Sequence, residues 1–280
     1  MARPLILSSV VLVYLAGLLM ASAEGHAWPT GRILWALAAL MGVSLAAHYA
    51  NEYADVETDR LAQRTLYSGG SGVLPSGRVP PSLARQAAWV CLIGGLGIGA
   101  LGLILGQVYP LTFLLLVLGA AGSWWYSLPP FKLAWRGWGE LANGLLGGLI
   151  YLYAYVAVAG HLPLGMIAAV LPFTLLNINN LLATTWADRA ADKRAGKLTL
   201  ATRWSIPALR RLYALLALSA FGLLPWVLPG PVALASLAAL PMAVWGWWTY
   251  TRLHSPYPTS NTMVVMLLAQ MAAWKGLIAF

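Results

Sequence analysis

Along the chain, long apolar runs alternate with polar interruptions of two kinds. Nine runs approach the ~20 residues a helix needs to cross the ~30 Å hydrocarbon core of a bilayer. They cover about 5–23, 32–50, 83–105, 108–126, 139–159, 163–184, 209–228, 231–251 and 260–279. Some contain Gly or Pro, which membrane helices tolerate better than soluble ones. The interruptions alternate in length. Those at 106–108, 160–162 and 228–231 are short; those at 51–82, 127–138, 185–208 and 252–259 are long. The pattern predicts an all-α polytopic membrane protein, a single transmembrane domain over 1–280. Long loops are where function concentrates, which directs attention to 51–82 and 185–208.

Composition agrees with this reading. Hydrophobic residues make up 60% of the chain and charged residues 9%, where a soluble domain carries about a quarter. The cations fix an orientation. Of the 17 Lys and Arg, all but Arg32 and Lys275 lie before the first run, in the long loops or within three residues of them. The positive-inside rule makes that side cytoplasmic, with the N-terminus inside and, after nine spans, the C-terminus outside. The net charge of +9 then reflects topology and anionic lipid or substrate, so nucleic acid is not implied. Arg3, an apolar stretch and Ala21-Ser22-Ala23 have the outline of a signal peptide. The stretch is long for a signal's apolar core, and cleavage would spoil the odd span count, so an uncleaved helix is expected. The single Cys91 excludes a disulfide framework.

The scarce acids change the picture most. Only eight Asp and Glu are present, and Glu52, Asp55, Glu57 and Asp59 fall within "HYANEYADVETDR" (48–60), at the end of the second run. Asn51, Asp55 and Asp59 are four apart, which places them on one helical face. Asp188 and Asp192 repeat the spacing after the sixth run, and these two pairs are all the aspartates in the chain. Like charges so spaced repel. A divalent cation removes that penalty, and Mg²⁺ prefers one or two carboxylates together with water and phosphate oxygens. Two facing pairs suit two such ions bridged by a diphosphate. Solvated helix ends are the plainer reading, but every aspartate of a membrane protein gathered in two matched pairs favours a site.

Cations nearby complete the pattern. Lys132, Arg136 and Lys197, with Arg64 and Lys193, are candidates to bind a diphosphate and stabilise its departure. Some must be topology signals alone. "SGGSG" (68–72) offers backbone N–H groups to phosphate but lacks the following Lys-Ser/Thr of a P-loop, and a plain linker is an equal reading. The order of features also hints at two four-helix repeats plus a ninth helix, each repeat carrying an acidic pair followed by a glycine-containing basic loop.

Together these motifs resemble the UbiA superfamily of intramembrane prenyltransferases, which act on acceptors such as 4-hydroxybenzoate and 1,4-dihydroxy-2-naphthoate. "NEYADVETD" answers to Asn-Asp-x₂-Asp-x₃-Asp, with Glu52 in place of its second residue. Arg64-Thr65, the segment Leu74–Val79, and "YSLPPFKLAWRGWGE" (126–140) follow in the family's order. Asp188, Asp192, Gly196 and Thr199 match the second motif. The resemblance implies Mg²⁺ held by Asn51, Glu52, Asp55, Asp59, Asp188 and Asp192, with a polyprenyl diphosphate donor that ionises and alkylates an aromatic, quinone-precursor-like acceptor. The Arg-Pro that often follows Arg-Thr is absent, and the stretch up to Leu74 is about four residues longer. "GKLTLATR" (196–203) is similar to the naphthoate branch. A transporter with an acidic cation pathway, or prenyl transfer to a tetrapyrrole or lipid glycerol, stays open. No aromatic residue is assigned to catalysis.

Overall fold

The structure, a computed structural model, describes residues 3–62, 64 and 69–278. Thr65 and Ser68, from two of the sequence motifs, lie outside the described residues. Everything described is helix or connection. The helices are α1 (Pro4–Ala23), α2 (Thr30–Ala54), α3 (Val56–Leu61), α4 (Pro81–Ile104), α5 (Pro110–Ser127), α6 (Gly139–Ala159) and α7 (Leu164–Ala169). They continue with α8 (Leu171–Ala187), α9 (Arg189–Arg194), α10 (Leu200–Arg203), α11 (Ile206–Val227), α12 (Gly230–Ser236), α13 (Leu240–Thr249) and α14 (Tyr257–Ile278).

Among the described residues nine helices or helix pairs are long and apolar enough to cross a membrane, with α7–α8 and α12–α13 each forming one span. All nine predicted runs are recovered. The ends differ: α2 continues to Ala54 and the sixth span to Ala187, beyond the apolar runs at 50 and 184. Helical hydrogen bonding satisfies the backbone of Asn51–Ala54 whatever its side chains are, so the helix outlasts the apolar pattern.

Lipid tails are as apolar as Leu, so helices in a bilayer associate through close packing rather than hydrophobic exclusion. Glycines provide that approach here. A Cβ on Gly42 of α2 would lie 2.6 Å from Gly95 Cα of α4. One on Gly17 of α1 would lie 2.3 Å from the Tyr151 carbonyl of α6. Gly144 and Gly148, one turn apart on α6, meet Ile178 and Thr174 of α8 in the same way. The main apolar core joins α1, α2, α5, α6, α7, α8, α11, α12 and α14. Against it, α2 and α8 are held with their polar ends at one end of the bundle.

Both of these helices break at an aspartate. Asp55 (φ −102°, ψ 11°) closes α2 and opens α3; Asp188 (φ −90°, ψ 0°) closes α8 and opens α9. The straight helical face expected for Asn51, Asp55 and Asp59 is therefore bent. The i→i+4 hydrogen bonds survive the bend: Asp55 N to Asn51 O is 2.9 Å and Asp59 N to Asp55 O is 2.8 Å. The second break matches, with 3.2 Å for Asp188 N to Thr184 O and 2.9 Å for Asp192 N to Asp188 O. The short helices α3 and α9 pack against each other, which brings the two motifs together.

Candidate active site

Asp55 is the centre of the cluster and is buried. Its Oδ2 accepts from Asn51 Nδ2 at 2.9 Å and from Lys197 Nζ at 3.0 Å. Its Oδ1 accepts from the Trp135 indole N–H at 2.9 Å. Asn51 Nδ2 also reaches the Ser127 hydroxyl at 3.5 Å, at the end of α5. Lys197 continues to Asp192 Oδ1 at 3.8 Å, so one ammonium bridges the two motifs.

The backbone fixes that lysine. Lys197 N donates to Asp192 O at 2.8 Å, Leu198 N to Trp135 O at 3.0 Å, and Leu200 N to Glu140 Oε1 at 3.0 Å. Thr185, one turn before Asp188, also donates to Glu140 Oε1 at 3.3 Å. The buried Glu140 at the start of α6 thus ties α8 to the lysine-bearing turn. Thr199 caps α10, accepting from Thr202 N.

Lys197 sits against opposing effects. Burial disfavours its charge, but Asp55 and Asp192, with Tyr126 beyond them, hold the ammonium above its ordinary value. The carboxylates show the converse. Burial pushes Asp59 up to about 7, and Asp55 beside it adds to the shift. Asp192 is likewise pushed up to about 7 by burial, Lys197 opposing and Asp188 and Asp55 reinforcing. Lys197 pairs with Asp55 and Asp192, and Arg3 and Lys197 both act on Asp59, yet burial and the neighbouring acids still hold Asp59 and Asp192 above their ordinary value.

The sequence-predicted residues divide clearly. Asn51, Asp55, Asp192 and Lys197 are joined directly. Asp188, at the α8–α9 break, acts electrostatically on Asp192. Asp59 lies on α3 against Gly70, where a Cβ would fall 1.9 Å from its Oδ2. Lys132, in a left-handed conformation (φ 47°), reaches 5.8 Å from the Trp135 ring centroid, and Lys197 stands at the same distance. Arg64, Arg136 and Lys193 are exposed. Both oxygens of Glu52 are engaged by Arg3 and Ser71. Glu57 is exposed and pairs with Arg60.

Trp135 was missed by sequence reasoning. Its place between Lys132 and Arg136 in the loop 127–138 was the available signal. Membrane proteins hold many tryptophans at the interface, and spacing does not mark the one that bonds an aspartate 80 residues away.

Among the described residues no three His, Cys, Asp or Glu side chains converge closely enough to form a ready cation cage. Lys197 occupies the centre instead. The donor set is nevertheless all hard oxygen, with Asp59 and Asp192 pushed up by burial and by neighbouring acids, and that chemistry fits Mg²⁺.

Comparisons with known proteins bear on the family and the fold. The model of the UbiA prenyltransferase family matches residues 10–273. The chain is 29% identical over 254 residues to a 1,4-dihydroxy-2-naphthoate octaprenyltransferase of Mycobacterium tuberculosis, covering 87% of this chain and 82% of that one. It is 40% identical over 75 residues to a chloroplast chlorophyll synthase of Avena sativa, a match spanning 26% of this chain and 19% of that protein. Among solved structures, the apo form of a UbiA homologue from Aeropyrum pernix K1 superposes with a TM-score of 0.70 at 17% identity, over 100% of this chain and 98% of that one. A UbiA homologue from Archaeoglobus fulgidus, bound to GPP and Mg²⁺, gives 0.67 at 17% identity and 98% coverage of both.

Proposed function

The chain belongs to the UbiA prenyltransferase family, and on that premise we propose that it transfers an isoprenoid chain from an allylic polyprenyl diphosphate to an aromatic acceptor within the membrane. The family match supports prenyl transfer as the reaction class. The observation that carries the finer reading is Lys197 at 3.0 Å from Asp55 and 3.8 Å from Asp192, one cation joining two acidic motifs.

Asp55, Asp59, Asp188 and Asp192, with the Asn51 amide, are the residues that would hold Mg²⁺. Bound there, Mg²⁺ would neutralise the diphosphate oxygens and improve the leaving group. Lys197 and Lys132, each 5.8 Å from the Trp135 ring centroid, add fixed positive charge to the same end. The exposed Arg64, Arg136 and Lys193 stand ready to attract the anion. Trp135 and Asn51 orient the Asp55 carboxylate by donating to its two oxygens. In the reaction, the C–O bond of the donor breaks with its electron pair leaving on diphosphate. An electron-rich ring carbon bonds to the allylic carbon and loses a proton. The apolar bundle keeps water from the allylic cation. The Lys and Arg distribution supports the aspartate end as the cytoplasmic one.

One observation favours a second acceptor class. The short matches to chlorophyll synthases, at 40% identity over 75 residues, favour a tetrapyrrole. Lipid and quinone profiling of cells with and without the protein separates the two. Loss of a prenylated quinone precursor supports the aromatic reading, and loss of a prenylated tetrapyrrole replaces it.

A further inference from the structure

Glu52 stands where this chain departs from the motif it resembles, and its surroundings differ from those of the aspartates. It is 2% exposed. Helical residues turn by about 100° each, so Glu52 lies roughly 60° around α2 from Asp55. There its Oε1 accepts from Arg3 Nε at 3.2 Å, from Arg3 Nη2 at 3.1 Å and from the Ser71 backbone N–H at 2.7 Å. Its Oε2 accepts from the Ser71 hydroxyl. Three segments far apart in sequence meet on one carboxylate: the residue before α1, the end of α2 and the glycine segment 69–72. Arg3 supplies the countercharge, and both oxygens are hydrogen-bonded, which is what makes burying a charged pair tolerable.

The neighbouring residue shows what this arrangement positions. Gly70 has φ +66° and lies directly against the Asp59 carboxylate. Any side chain there meets both a strained backbone and Asp59 itself. The segment that Ser71 fastens to Glu52 therefore forms one wall of the Asp59 environment.

We propose that Glu52 is a positioning residue, bracing the 69–72 segment against Asp59, and is not a ligand of the divalent cation. The proposal rests on reading the aspartates as a diphosphate–metal site. It is tested on the full chain in detergent, with Mn²⁺ as the probe and a non-ionising allylic diphosphate analogue present. The variants are E52Q, S71A and R3A, with D55A as the ligand control.

The brace predicts a shared phenotype. In E52Q and S71A, tryptic cleavage at Arg64 and Arg78 accelerates about fivefold and donor KM rises by a similar factor, as the loss of a hydrogen bond to a charged group would give. R3A moves both readouts in the same direction. Mn²⁺ affinity stays within about twofold of wild type in all three, while D55A loses about tenfold or more. Loss of Mn²⁺ binding in E52Q on the scale of D55A, with S71A and R3A unchanged, makes Glu52 a ligand and overturns the proposal. Unchanged cleavage and KM in all three variants overturns it too. If the wild type binds no Mn²⁺ with the analogue, the metal-site reading fails, and cleavage alone then decides the brace.

Discussion

Asp55 makes three contacts at once, with Asn51 and Lys197 on Oδ2 and Trp135 on Oδ1. The indole N–H is the contact that Oδ1 accepts. W135F keeps the ring and removes the donor; it is expected to lower kcat/KM for the donor about tenfold or more, the usual scale for losing one aimed hydrogen bond at a charged centre. Steady-state kinetics at fixed Mg²⁺ check this. Gly70 offers a second test. G70A places a Cβ 1.9 Å from Asp59 Oδ2 at φ +66°, whereas G77A meets the same backbone strain at φ +72° with nothing within 4 Å. Both should lose stability by about 1 kcal/mol, and G70A alone should lose most of its turnover. Equal activities would show that the Gly70–Asp59 contact has no role in the site. At this scale the aspartates were legible in the sequence, because four aspartates in two matched pairs stand out against so few charges. Trp135, Ser127 and Ser71 were not, because their partners lie far along the chain and are chosen by packing.

The nine spans were readable because bilayer thickness fixes the length of an apolar run. What the pattern could not give was the pair of breaks at Asp55 and Asp188. Each turns a helix just where it leaves the apolar layer, so Asp59 and Asp192 sit on short helices that face each other. The two breaks occur at equivalent points of the second and sixth spans, in keeping with the parallel repeat inferred from the order of features. Close crossings were also hidden, since a glycine in an apolar run reads alike whether it faces lipid or a neighbour. Gly95 packs 2.7 Å, measured from a built Cβ, from Val43 N, while Gly94 meets nothing within 4 Å. G95L is therefore expected to destabilise the α2–α4 pair by about 2 kcal/mol or more, and G94L to be tolerated. Thermal unfolding in detergent compares them. Equal melting temperatures would mean that α2 and α4 do not cross there.

The whole molecule is a bundle that holds a cluster of buried and half-buried acids close enough to raise one another's pKa. Asp59 and Asp192 are pushed from the ordinary 3.8 to about 7, burial being the largest cause in each. A carboxyl whose folded pKa is raised contributes stability below its unfolded value and loses it as pH rises through the folded value. The cation-free protein should therefore melt progressively lower from about pH 4 to pH 8, and added Mg²⁺ should raise the melting temperature most at the alkaline end. A flat profile, unmoved by Mg²⁺, would separate these acids from any cation. The central claim is that the two aspartate motifs act together, with a divalent cation, to release diphosphate from an allylic donor. The most direct measurement is diphosphate release by purified protein with a prenyl diphosphate and acceptor, in Mg²⁺ and in excess chelator, for wild type, D55A and D188A. Release that depends on Mg²⁺ and vanishes in both variants is the expected result. Turnover in chelator, or full rate in either variant, would contradict it.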